Sequence, residues 1–554
     1  MTVRYEVRRG AYADSIVLMQ LQSALAALDG VDDAGVVMAT RANLDLLRVN
    51  DLLPKPLPEV GPDDLLIVVR SESGETGAVA LAQVDRLLVR RSGETGDEFR
   101  PKSLRTACAR APESRWVAVS VPGTYAAAVA REALAADRHV FLYSDNVTKP
   151  EEVELKALAA ERGLLVMGPD CGTAIVGGVG LGFANRVRRG DVGIVAASGT
   201  GLQAVASRVH AMGAGISQAL GTGGRDLSDE VGARTALQSL DLLARDDETK
   251  VIVLLSKPPS PRVAARVVAV ARATGKPTVV AFSGLMPPVR WLGNLHFAAG
   301  LDEAATRAVE LRARTGEPHT PVEPRPGFLR GLFSGGTLAL EMLHGLRLFV
   351  SPLHANLEIP GVAPLADAAV STGHTIVDLG ADEFTVGRPH PMIDQDLRLR
   401  RLRQEAGDPE VGVIVLDVVL GDGAHADPAA ELVPAIERAR ERKDLDVVVL
   451  LVGTDEDPQD MASQSDRLAA AGARVFDDVR SVVEFLAREL EIRPHSPAAP
   501  VALASVRPPL SVINVGLESF HDSLVHQGVD VVHVEWRPPA RGNERLGAIL
   551  EKMR

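Results

Sequence analysis

Two stretches, AASGTGLQ at residues 196–203 and LFSGGTLAL at 332–340, carry the same device. Each sets a turn of serine, glycine and threonine between an apolar run and the start of an amphipathic helix. Their serines, Ser198 and Ser334, are 136 residues apart, and the segments around them keep step with each other. DVGIVAAS pairs with GFLRGLFS, QALGTGGRDL with IVDLGADEFT, and DDETKVIVLLSKPP with DPEVGVIVLDVVLG. KPTVVAFSG then pairs with LDVVVLLVGTD, and the helices DEAATRAVELRA and VRSVVEFLAREL close the two runs. Matched elements in one order imply a duplicated unit, 191–315 and 328–490, with a linker at 316–327. In residues 101–190, ahead of the repeat, continuous apolar strands separated by helices imply an α/β fold with parallel strands buried on both faces.

Two regions precede the repeat. Residues 1–100 run VRYEVRR, DSIVLMQLQSALAAL, AGVVMAT, ANLDLLRVN, DDLLIVVR and VALAQVDRLLVRR, which predicts a small α+β domain of the ferredoxin-like type. Residues 101–190 predict a Rossmann-like domain whose strands end in VPG, SDNV and GPDCGT. The carboxyl ends of parallel strands line the ligand crevice of such sheets. On that ground Asn146, Asp170 and Cys171, with Gly223 and Gly224 in the first repeat's GTGG turn, are candidate substrate contacts. Any one of these turns, taken alone, reads equally as an ordinary strand end. After a proline-rich linker at 491–509, residues 510–554 open with strand, helix and strand and read as a separate β-α-β tail.

At 554 residues the chain is long enough for several cores, and with aromatics at 3% those cores must be mostly Ala, Val and Leu. A formal net charge of -13 lacks the basic footprint of a nucleic-acid binder. Two cysteines, Cys108 and Cys171, cannot build a disulfide framework, and the 13 histidines show no HExxH spacing, so no structural metal is expected. VIVLLS and VVVLLVG are too short to cross a bilayer and no signal-peptide layout is present. The expectation is a cytoplasmic protein with neither membrane nor nucleic-acid partners.

Free backbone N–H groups at a helix start, together with the helix dipole, attract an anion without a cationic side chain. Glycine allows close approach, and serine or threonine adds a hydroxyl donor. Ser198, Gly199, Thr200 and Gly201, and likewise Ser334, Gly335, Gly336 and Thr337, are therefore candidate phosphate ligands. Duplicated units often pair about a pseudo-twofold axis, which would aim both helix starts at one oxyanion. A single such turn reads first as a helix cap; two at matching places in a repeat do not.

In GRPHPMID (387–394), two prolines hold His390 on a stiff turn with Asp394 four residues on. His390 reads either as a general acid or base or as a loop histidine bonded to backbone. Asp417 ends the strand VIVLD at the place matching Ser256 in the first copy. It would orient a cation, bind a metal, or pair inside the core. Cys171 has no predicted base beside it and reads as a packed thiol rather than a nucleophile.

GPDCGTAI (168–175), ASGTGLQ and GTGGRDL (221–227) resemble the α subunit of succinyl-CoA synthetase. YADSIVLMQLQSAL, FLYSDNV, MGPDCGTAIVGGVGLGFAN and DLGADEFTVGRPHPMID resemble its relative, the FdrA/AllF family, along essentially the whole chain. The resemblance implies a CoA-binding-type Rossmann domain followed by two flavodoxin-like ligase-CoA-type domains. It also matches both glycine turns to the helix starts that flank a phosphohistidine in the synthetases. The chain departs from the synthetases in three places. Its N-terminal region lacks their glycine-rich CoA turn; GNLHFAA at 293–299 replaces their GHAGA loop, with His296 reading as structural; and Ser256 and Lys257 replace a glutamate. These departures argue against CoA binding and against phosphohistidine chemistry.

For FdrA/AllF proteins the resemblance implies oxamate carbamoyltransferase activity in allantoin and purine catabolism, with oxalurate and phosphate giving oxamate and carbamoyl phosphate. In that reaction Arg225, Lys257 and Arg388, beside strand ends, would hold phosphate or the oxalyl carboxylate, or else form surface salt bridges. His390 would protonate the leaving nitrogen. The tail resembles the start of the AllG (DUF1116) family, which implies docking to a neighbouring-gene subunit in a hetero-oligomer. An NDP-forming acyl-CoA synthetase subunit and a non-catalytic metabolite-binding scaffold are the other readings.

Overall fold

The computed structural model describes residues 1–9, 15–61, 64–89, 100–285, 289–313, 326–490 and 499–538. The chain divides into two compact units. One holds Met1–Ala111, Asn514–Ser519 and Val532–Arg554; the other holds Pro112–Ile513 and Phe520–Val531.

In the first unit, strand Leu65–Ser71 lies between Thr2–Arg8 and Val31–Met38, antiparallel to both. Its sequence LLIVVRS is apolar at consecutive positions because both faces are covered. Ile67 and Val69 join Leu18, Leu21 and Leu25 of helix Ser15–Ala26. Leu66 and Val68 join Leu47 and Leu52 on the other face, under helix Arg41–Val49. Thr40 and Ser73 cap the helices that start after them, each accepting from a backbone N–H three residues on. This strand order suits the ferredoxin-like expectation; its fourth strand is not among the described residues. The helix expected over VALAQVDRLLVRR starts earlier and breaks in two, Gly74–Ala82 and Val84–Val89.

The second unit contains three sheets. Within this unit the first orders residues 530–531, residues 511–513, Trp116–Val119, His139–Leu142 and Val166–Met167, the last three parallel. The tail is therefore not tethered apart: its two strands extend this sheet. Nor is the described part of 491–509 a loose connection. Val501 and Val506 are buried, and Trp116 Nε1 donates to Ser505 O at 2.7 Å. Alternating apolar residues mark a strand without saying which sheet it joins. Residues 316–325, 491–498 and 539–554 of the expected linkers and tail lie outside the described residues.

The duplication is explicit in the other two sheets. In the first copy, parallel strands stand in the order Ile216–Gly221, Arg189–Ala196, Val251–Ser256, Thr278–Phe282, Leu295–Phe297. In the second the order is His374–Asp378, Phe328–Phe333, Val411–Val419, Asp446–Val452, Arg474–Phe476. Both are the flavodoxin-like order 2-1-3-4-5. A hairpin, Thr173–Val176 and Val179–Gly182, adds to the first copy's sheet, antiparallel to Ile216–Gly221.

The copies do not pair about a twofold axis. Helices Arg234–Arg245 and Pro261–Ala273 of the first copy share one core with helices Gly336–Leu346 and Val479–Glu489 of the second, through Leu240, Leu243, Val267, Met342, Leu346 and Leu486. Phe297 meets Phe349 edge to face across it at 6.0 Å. The first copy's own counterpart of Gly336–Leu346, helix Gly199–Ala211, packs in a different core with Ala304, Ala308 and Leu311. Unlike faces meet, which makes the packing heterologous. No described helix is long and apolar enough to cross a membrane.

Candidate functional site

The first glycine turn joins the buried strand Arg189–Ala196 to helix Gly199–Ala211. Ser198 is the N-cap, its Oγ accepting from Gly201 N at 3.2 Å, while Thr200 is exposed. A Cβ added at Gly199 would stand 3.8 Å from Thr173 Oγ1 and 3.9 Å from Gly172 N. Thr173 is 1% exposed and its hydroxyl has no hydrogen-bond partner among the described residues. A buried hydroxyl left unmatched is costly and uncommon.

Strand ends on either side complete the surroundings. By strand register, Thr222 and Ser256 both stand level with Ala197, and both are buried. Lys257 comes next, exposed and without an ion pair among the described residues. Gly223, at φ +86°, could carry no side chain, since a Cβ would come 2.5 Å from Pro169 O. A Cβ at Gly224 would face Asp170 Oδ2 at 3.9 Å. The fold thus gathers Asp170, Thr173, Ser198, Gly199, Thr200, Gly201, Gly223, Gly224 and Lys257 at one carboxyl edge.

Three sequence candidates near this edge have other duties. Arg225 Nε donates to the buried Glu152 at 2.9 Å and its Nη2 to Val147 O at 2.8 Å, the salt-bridge outcome. Glu152 and Asp226 also accept from the buried Lys156, at 2.9 and 2.8 Å, which pins the GTGG loop from beneath. Burial pushes the Cys171 thiol up to about 12, so it stays protonated, and it donates to Thr173 O. Asn146 is exposed at φ 54°, its Cβ against Gly123 on the neighbouring sheet's strand-end loop.

The second turn looks alike in sequence and differs in content. Ser334 N and Gly335 N donate to the two oxygens of Asp417 at 2.7 and 3.0 Å, and Ser334 Oγ also donates to it at 3.0 Å. Arg398 Nη1 adds a bond at 2.8 Å, and both Arg398 and Asp417 are buried. The N–H groups of Ser334 and Gly335, just ahead of the helix, are thus matched from within, by the residue that register sets level with Phe333 as Ser256 is level with Ala197, while no side chain caps helix Gly336–Leu346 itself. All of these partners are donors, so Asp417 pairs inside the core and is not arranged as a metal ligand.

Asp378, which sequence reading passed over, faces the same helix start. One of its oxygens would lie 2.7 Å from a Cβ on Gly336, and the other accepts from Gly380 N at 2.9 Å. Burial raises its carboxyl, opposed by the Gly380 N–H and reinforced by Asp417. His390 accepts from Met392 N at Nδ1, which places the proton of the neutral ring on Nε2. That Nε2 and Asp378 Oδ1 would stand 2.9 and 3.1 Å from one Cβ on Gly380. Asp378 matches Thr222 by register, and an alignment of the two copies was the signal for it. Thr337 and Arg388 are exposed. The atoms nearest Gly199 and Gly201 and those nearest Gly335 and Gly336 belong to different residues, and no set of three His, Cys, Asp or Glu among the described residues is placed for a metal.

Family comparisons match three stretches: a CoA binding domain at 187–284, a CoA-ligase domain at 332–485, and the AllF heavy metal-associated domain at 1–102. YahF of Escherichia coli (strain K12) is 41% identical over 492 residues, covering 85% of this chain and 95% of its own. Subunit alpha 2 of the ADP-forming succinate–CoA ligase of Archaeoglobus fulgidus is 29% identical over 217 residues, 37% of this chain and 72% of its own. Among solved structures, the apo dinucleotide-forming acetyl-coenzyme A synthetase 1 of Ca. Korarchaeum cryptofilum is 16% identical, covering 67% of this chain and 82% of its own at a TM-score of 0.28. Residues 1–102 contain neither cysteine nor histidine, so a heavy metal would find no thiolate or imidazole there.

Proposed function

The chain belongs to the FdrA/AllF family, and from that premise we propose that it is a subunit of a carbamoyl-transferring enzyme whose phosphate sits at the Ser198–Gly201 turn. The observation that carries this reading is the buried, unmatched Thr173 hydroxyl beside an open helix start. The N–H groups of that start favour an oxyanion, Ser256 and Thr222 line it without charge, and Lys257 supplies a cation. In the proposed reaction a phosphate oxygen attacks the carbamoyl carbon of oxalurate. The carbon–nitrogen bond then breaks, and the nitrogen leaves with a proton as oxamate. Donors fixed before the reaction lower the cost of charge that develops on the oxygens. No step is given to His390 or Asp417, which belong to the second turn, and an AllG-like subunit is the proposed partner.

The test is phosphate-dependent formation of carbamoyl phosphate from oxalurate by the chain copurified with its AllG-like partner. Gly199→Val and Lys257→Ala should each lower turnover about 100-fold. Full turnover in both variants would defeat the reading. A second reading, an acid–CoA ligase subunit, draws on the matches to CoA-ligase and CoA-binding domains. It would be favoured by nucleotide-dependent thioester formation with phosphate label appearing on a histidine. His296 is an unpromising carrier, since it lies within strand Leu295–Phe297, paired to Trp291 and Val279.

A further inference from the structure

Phe183 is 51% exposed, and its backbone is tied on one side to Gly172, beside Thr173, and on the other to the helix that the first turn begins. Its N–H donates to Gly172 O at 2.8 Å, and its carbonyl accepts from Gln203 Nε2, on the helix that the turn begins, at 2.7 Å. Gly182, at φ +66°, permits this: a Cβ there would strike Gly172 O at 2.3 Å. The ring edge would be 3.6 Å from a Cβ on Gly172, whose N–H faces Gly199. Ring and helix start therefore flank a single glycine, a span of a few heavy atoms.

The ring is also braced from behind. Tyr143 and Phe520 meet it at centroid distances of 5.4 and 6.1 Å and angles of 81° and 82°. The two partners meet each other at 4.8 Å and 85°. Neither partner lies parallel to Phe183, so they hold its orientation while about half of the residue stays exposed. Lone exposed apolar side chains are common and mean little. A ring clamped to a polar seat by its own backbone, and propped edge-on by two others, is a built surface.

We infer that Phe183 is a stacking wall for the planar part of a small conjugated acid whose oxyanion partner sits at the Ser198–Gly201 turn. This rests on the proposed phosphate seat. The occupant is flat and electron-poor, an α-dicarbonyl such as an oxalyl amide, because such a group pairs offset with the electron-rich face of a phenyl ring.

The experiment titrates the purified full chain with oxamate, with phosphate, and with lactate, a similar acid whose central carbon is tetrahedral. Phe183→Ala should weaken oxamate roughly five- to tenfold and leave phosphate affinity within about twofold. Phe183→Trp should keep oxamate affinity, its fluorescence quenched by oxamate and not by lactate. The inference is overturned if oxamate affinity is unchanged in Phe183→Ala, if oxamate and phosphate affinities fall together, or if the substitution alters only partner assembly. Failure of the parent chain to bind phosphate would instead defeat the seat, while the Phe183→Trp titration with oxamate would still decide for or against the wall.

Discussion

The two glycine turns begin alike and finish differently. Beside Ser198 the flanking strand ends carry hydroxyls, Thr222 and Ser256; beside Ser334 the same register positions carry carboxylates, Asp378 and Asp417. Both helix starts favour negative charge, since both present N–H groups that the helix cannot satisfy. What separates them is who supplies the charge. In the second copy Asp417 does so permanently, held by Ser334, Gly335 and Arg398. That copy gains a clasp between strand and turn. In the first copy the Thr173 hydroxyl stays unmatched among the described residues, and it is there that the phosphate seat is proposed. A duplicated motif thus predicts the backbone of a site without predicting its occupant.

The largest effect expected from this contrast is at Asp417. Asp417→Ala removes the counter-charge of the buried Arg398 and leaves the N–H groups of Ser334 and Gly335 without their acceptor, which should cost about 3–5 kcal/mol in urea unfolding. Formate or phosphate at roughly 50 mM should recover much of that loss in the variant while barely moving the parent, because only the variant has an empty anion place. A variant as stable as the parent, or one indifferent to these anions, would show that Asp417 is not acting as a bound anion.

The reciprocal change comes next. Ser256→Asp places a carboxylate where the second copy has one and should close the first turn, weakening phosphate about 100-fold by calorimetry. Ser256→Asn, similar in size but uncharged, should stay within about tenfold of the parent. If Ser256→Asp binds phosphate as the parent does, the strand-end residue does not decide occupancy.

Much of the scaffold was legible in the chain. Continuous apolar runs such as VIVLLS and VVVLLV mark strands covered on both faces, and the matched order of elements revealed the duplication. The equivalence of Ser256 and Asp417 was legible too. Their consequence was not, because a bond between residues 83 apart, such as Ser334 N to Asp417, depends on how strands register. Hydrophobic periodicity also says that a helix face is buried without naming its cover. That is why the unlike-face packing of the copies, and the joining of residues 511–513 to the sheet of Trp116–Val119, had to be seen. Arg225 shows the converse: a cation at a strand end was visible, and the buried Glu152 that claims it was not.

The smallest expected effect separates two forces on Asp378. Burial, the dominant cause, raises its carboxyl above the ordinary 3.8, and Asp417 adds to the rise. The folded chain then holds this proton more tightly than the unfolded chain does. Its contribution to stability is fully present below 3.8 and is lost as pH climbs through the raised folded value. Ionised Asp378 is therefore a standing cost near neutrality, and Asp378→Asn should flatten the pH dependence of unfolding as pH rises above the ordinary 3.8 toward neutrality. At the upper end the variant should match or exceed the parent by less than about 1 kcal/mol. The main opposing force is the Gly380 N–H, which donates to one carboxylate oxygen at 2.9 Å. If Asp378→Asn instead loses stability at neutral pH, that bond outweighs burial, and Asp378 joins Asp417 as a second internal anion.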